Sequence, residues 1–175
     1  MTRRLISSDR SHARAGFTLI ELLIVVMLIG VLSAISTPFL IAARTSANEA
    51  SAIQALRTLS TAQSAYSMAC GNNGYSLSLP TLVNEQFASP DIDISPKSGY
   101  TFQLTAAQGS MALGFDCTGL PTRSGYYFRA EPLAVNQGRR AFSTNHVGAI
   151  WQDTAGVAPP EPFVSGGTVS VLEAQ

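Results

Sequence analysis

A single carboxylate, Glu21, stands inside the stretch "RAGFTLIELLIVVMLIG" that begins at Arg14. An ionised side chain within a membrane-type apolar run costs on the order of 3 kcal/mol on insertion scales. Glu21 therefore calls for a partner, and the chemistry it offers is charge pairing. Other chemically capable residues are few. Cys70 and Cys117 are the only two cysteines, and His146 is the only histidine beyond the N-terminal arm. Asp91, Asp93, Asp116 and Asp153 are calcium ligands by type alone, and "SPDIDISP" lacks the EF-hand spacing. No G-x-S-x-G, P-loop, GxGxxG or HExxH pattern occurs. His146 falls in a predicted turn, with no Ser/Asp spacing that commends a triad. No enzyme activity is expected.

The elements that must position Glu21 begin with charge. Residues 1–16 carry Arg3, Arg4, Arg10 and Arg14 against Asp9, a net of +3. Beyond Gly16 lie 7 of the 11 basic and 10 of the 11 acidic residues, a net of −3. A mildly acidic body gives no reason to expect a nucleic-acid partner. From Leu22 to Ala43 there is no charge at all. As a helix that run spans about 33 Å, enough to cross a hydrocarbon core of about 30 Å. The arginines before it favour an inside N-terminus and an outside body. A secretory signal, with "LSAIS" as its cleavage site, fits poorly: the run is too long and Glu21 interrupts it. A plain uncleaved anchor leaves Gly16 and Glu21 without a reason.

The segment "GFTLIELLIVVMLIGVLSAISTP", Gly16 to Pro38, resembles the class III signal and N-terminal helix of type IV pilins and type II secretion pseudopilins. The resemblance covers about the first 55 residues. It implies cleavage between Gly16 and Phe17 by a prepilin peptidase on the cytoplasmic side, with N-methylation of Phe17. The leader 1–16 would be removed and the apolar segment kept, leaving a mature chain of 17–175. Glu21, four residues from the new amine, lies on the same helix face and pairs with it in its own chain or in a neighbour. Assembly then becomes a way to satisfy the acid. Pro38 lacks an N–H and Gly30 weakens helix propensity, so a kink is expected near Pro38. Calcium in the head is the one cofactor the resemblance leaves open; otherwise none is expected.

The helical pattern continues past the apolar run. "SANEASAIQALRTLSTAQSAYSMAC" has no Gly or Pro before Gly71. Ala52, Ile53, Leu56, Leu59, Ala62, Gln63 and Tyr66 form one mostly apolar stripe. One helix is predicted from Phe17 to about Cys70, with a membrane or assembly part at 17–43 and an amphipathic part at 44–70. Gly71 is expected as the left-handed residue after its end. Residues 71–175 should form the head. Strands are expected at 99–105, 111–117 and 125–133, with a hairpin at 140–153 turning near 145–148. A helical turn is expected around 82–87, and an irregular tail from Thr154 with "TVSVL" as an edge strand. Phe102, Phe115, Phe128, Phe142 and Ile150 are the core candidates. The fold class is α+β: a long N-terminal helix packed on a small antiparallel sheet. In an exported head Cys70 and Cys117 should form a disulfide, worth about 4 kcal/mol in the chain-entropy model.

The function expected is that of a structural subunit, a prepilin of a type IV pilus or related filament. Its partners would be identical or related subunits, the inner membrane, the peptidase and methyltransferase, and an assembly platform. The chain would sit single-pass in the inner membrane with its head in the periplasm, and then in the filament. A pseudopilin of a type II secretion system shares the same N-terminus. A membrane-tethered periplasmic binding module that never polymerises is the reading of another class.

Overall fold

The computed structural model describes residues 16–92 and 94–173. The leader before Gly16, and Asp93, lie outside the described residues. Helix α1 runs from Leu19 to Ala69, 51 residues without interruption. Its sequence is rich in Ala and Leu, and the one proline, Pro38, is accommodated within the helical run. The chain divides into two compact units within α1, one ending at Phe39 and the other starting at Leu40.

In the first unit every residue from Gly16 onward is exposed, including the whole series of large aliphatic side chains from Leu19 to Leu32. The polar residues around the proline are occupied locally. Ser36 donates to the Leu32 carbonyl and Thr37 to the Ser33 carbonyl, both at 2.9 Å. Such back-bonding by Ser and Thr is common where a helix is bent or its ladder weakened.

The second unit is the head. After α1 come α2 (Leu79–Asn84) and a short 3-10 turn (Pro90–Ile92). Seven strands follow: β1 (Tyr100–Ala106), β2 (Ala112–Phe115), β3 (Pro121–Arg123), β4 (Tyr126–Pro132), β5 (Ala141–Asn145), β6 (Ile150–Asp153) and β7 (Val169–Glu173). Five form an antiparallel sheet in the order β1-β4-β5-β6-β7, and β2 pairs with β3 as a separate ribbon. Ser78 caps α2, its hydroxyl accepting from the Thr81 N–H.

The period of two assigns each strand's faces. Tyr100, Phe102, Tyr126, Phe128, Phe142 and Ile150 share one face and pack with Ala52, Leu56, Leu59 and Tyr66 of α1 in a single core. The predicted stripe is thus the buried one, with Ile53 only partly covered. Gln63 sits on it without penalty because its amide donates to the Ser76 carbonyl at 2.6 Å and accepts from the Ser76 N–H at 3.1 Å. The other face is covered too. Strand β5 is buried at every residue, and the tail around Pro159 lies over it. The Pro159 carbonyl accepts from Tyr127 Oη at 2.7 Å and from Ser143 Oγ at 3.0 Å. The tail segment around Pro159 thus acts as the second cover of the sheet.

Two head expectations are corrected. Phe115 is not in the core: it is 68% exposed. Strand β2 stands outside the main sheet and pairs with β3, and all four of its residues are exposed. Gly71 is not the left-handed residue; Asn72 (φ 51°) and Asn73 (φ 63°) are. Gly71 serves close approach instead, since a Cβ there would collide with the Gly74 carbonyl and the Tyr66 ring.

Candidate assembly site

The start of α1 is fixed by a side chain. Thr18 Oγ1 accepts from the Glu21 N–H at 3.2 Å, while the Thr18 carbonyl accepts from Leu22 N–H at 3.2 Å. Thr18 is therefore the N-cap and Glu21 the third helical residue. "TLIE" has the S/T-x-x-E form of a capping box ahead of an apolar run. It sharpens the placement of Glu21, whose carboxylate sits in the first turn, where the helix dipole favours negative charge. The helix does not begin at Phe17 as predicted: Gly16, Phe17 and Thr18 precede it in non-helical backbone. The Phe17 nitrogen and Glu21 therefore do not share a helix face as an i,i+4 pair, and Phe17 is 82% exposed. Gly30 has no atom within 4 Å of the site a Cβ would occupy. The segment thus presents a capped, exposed, apolar helix with one acid in its first turn.

The far end of α1 is tied down chemically. Cys70 and Cys117 form a disulfide with Cα atoms 4.9 Å apart. The Cys117 N–H also donates to the Cys70 carbonyl at 2.9 Å. Asp116, next to it, is buried and takes four hydrogen bonds. It accepts from Tyr66 Oη at 2.5 Å, the Thr118 N–H at 2.8 Å, Thr118 Oγ1 at 2.9 Å and the Leu120 N–H at 2.7 Å. Burial alone would raise its pKa, but these donors, Tyr66 first, outweigh burial and bring it down to about 2. Tyr66 moves the other way, raised first by burial and then by the adjacent carboxylate.

A second tie was missed in the sequence. Glu49, on α1, is buried and takes an ion pair from Arg140, with Nη2 at 2.6 Å and Nε at 2.8 Å from Oε2. Its Oε1 accepts the Arg139 N–H at 2.9 Å and the Arg140 N–H at 3.3 Å. Burial works to raise its pKa, and the donors from Arg139 and Arg140 overcome it, so Glu49 titrates below the ordinary carboxylate range. Single-chain periodicity puts Glu49 on a helix face but cannot supply a partner 91 residues away.

Three of the four aspartates that are calcium ligands by type have protein partners. Asp91 pairs with Lys97 at 2.5 Å, and Asp153 Oδ1 accepts from the Ala155 N–H at 2.7 Å. Asp116 is engaged as above, and Asp93 lies outside the described residues. The three-residue grouping of metal-ligating type found among the described residues is Cys70, Glu85 and Cys117. Both its sulfurs are bonded to each other. His146 is exposed at the β5–β6 turn, as expected.

Residues 11–37 match the model of the prokaryotic N-terminal methylation motif, the signature of type IV pilins and pseudopilins. The match spans the cap, the acid and the apolar helix as far as Thr37. The chain is thus pilin-like at its N-terminus, and the motif implies prepilin peptidase processing and filament assembly. No curated protein and no solved structure matches the chain.

Proposed function

We propose that this chain is a structural subunit of a type IV pilus or related filament, cleaved between Gly16 and Phe17 and assembled through the helix that follows. The observation that carries the reading is the methylation motif at 11–37 falling on a wholly exposed apolar helix with one carboxylate in its first turn. Cleavage turns the Phe17 nitrogen into an amine immediately ahead of the Thr18 cap, and N-methylation keeps its charge. Glu21 is then the nearest anion for that amine, or for the amine of a neighbouring subunit displaced along the filament. A neighbour's amine offsets the few kcal/mol that a lone membrane acid costs. The exposed aliphatic face is covered first by lipid and then by sibling helices. The head, outside the membrane, contributes surface and not catalysis.

The type II secretion pseudopilin reading uses the same N-terminal chemistry and differs in the machine that drives assembly. In either setting, Glu21→Ala should insert into the membrane and be cleaved normally but give no filaments, measured by shearing cells and probing the filament fraction. Normal filaments from that variant would contradict the proposed role of the acid.

A further inference from the structure

The face of the sheet turned away from α1 carries a cleft of about 380 Å³ between the β5–β6 turn, the start of the β1–β2 loop at Gln108, and the tail at 161–163. Trp151 and Asn145 project on this face, as the Ser143–Trp151 register requires. The Trp151 ring stacks on Phe163 at 5.2 Å and 20°, and the Tyr127 ring lies tilted 6.2 Å from Phe163. At the rim is the half-buried carboxylate of Glu161. Its Oε2 accepts the Gln108 N–H at 2.6 Å and its Oε1 accepts Asn145 Nδ2 at 2.8 Å.

That arrangement is selective by elimination. A carboxylate oxygen has two lone-pair positions, so each oxygen of Glu161 keeps one beyond its fixed donor. The Gln108 N–H and one of the two Asn145 amide N–H groups are spent on Glu161, and the carboxylate itself repels an anion. No lysine or arginine is among the described residues lining the cleft, and His146 is its other titratable group. A calcium ion wants six to eight oxygens, and one carboxylate falls far short. An organic cation asks for a carboxylate and aromatic surface together. We propose that this cleft binds an organic cation, the ammonium or guanidinium end of a basic side chain or of a free amine. The Glu161 carboxylate would take the charge, and the Trp151 and Phe163 rings the flanking carbons.

The chain has one tryptophan, so the cleft carries its own reporter. The detergent-solubilised full chain would be titrated with n-butylammonium chloride and with N-acetyl-lysine methylamide, following Trp151 fluorescence. n-Butanol, blocked norleucine, calcium chloride and sodium chloride at equal ionic strength serve as controls. The expected result is a saturable change with the two cations only. Glu161→Gln should weaken it at least tenfold and Phe163→Leu about threefold, consistent with loss of a charge contact and of a ring face. Tighter binding of the blocked lysine assigns the ligand to a polypeptide, and tighter binding of the simple amine assigns it to a small molecule. Equal responses to the neutral isosteres, a response to calcium in place of the amines, or an unchanged affinity in a folded Glu161→Gln or Phe163→Leu would overturn the proposal.

Discussion

Glu49 and Arg140 join α1 to the strand that runs through the middle of the sheet. The guanidinium places two nitrogens within 2.8 Å of one carboxylate oxygen, while the other oxygen takes two backbone N–H groups. Arg140 also donates to Gln152 Oε1 at 2.8 Å and lies over the Phe142 ring. The acid is therefore the hub of a network, and deleting it orphans several donors at once. Glu49→Ala should cost the head about 2–3 kcal/mol, less than a fully buried pair because Arg140 retains access to water. Denaturant unfolding of the solubilised chain measures this; a loss within experimental error would show the pair to be incidental.

Asp116 gives the head an acid limit. Its folded pKa, about 2, lies below the ordinary carboxylate value. The bonds to Tyr66, Thr118 and Leu120 thus stabilise the head fully above pH about 4, and the benefit is lost as pH falls towards 2. Tyr66→Phe removes the shortest of those bonds and should shift the loss to higher pH. Thermal midpoints recorded from pH 5 down to 2 for the two chains test this, and parallel curves would contradict it.

Thr18 should matter for local order rather than for insertion. Thr18→Ala removes the acceptor for the Glu21 N–H, a loss of about 1 kcal/mol at an N-cap. That energy corresponds to roughly fivefold faster amide exchange at Glu21 in micelles. Thr18→Ser should restore protection. Unchanged exchange in the alanine variant would mean that the cap does not hold the helix start.

Much of this architecture is legible in the sequence because its periodicities are long. Fifty residues of helical pattern cannot be mistaken for strands, and Ala52, Leu56, Leu59 and Tyr66 repeat on one face whatever the head does. Cys70 and Cys117 pair as the even count and exported setting suggested. The misses depend on partners that periodicity does not supply, whether six residues away or 91. Phe115 alternates like a core residue, but its strand is claimed by β3, a three-residue element too short to signal itself. Glu49 reads as a solvated charge until Arg140 is brought to it. The cleft at Glu161 needs three segments together, and none of them carries a motif. Thr18 is the exception, a local signal that the apolar run overshadowed.

The central claim is that the chain is processed at Gly16–Phe17 into a filament subunit, and the N-terminus reports on it most directly. Mass spectrometry of the membrane-bound chain from cells with an active prepilin peptidase should find residues 1–16 gone and a methylated Phe17 as the first residue. A chain that keeps Met1 or its leader, or that is cut on the far side of the apolar helix, would contradict the account.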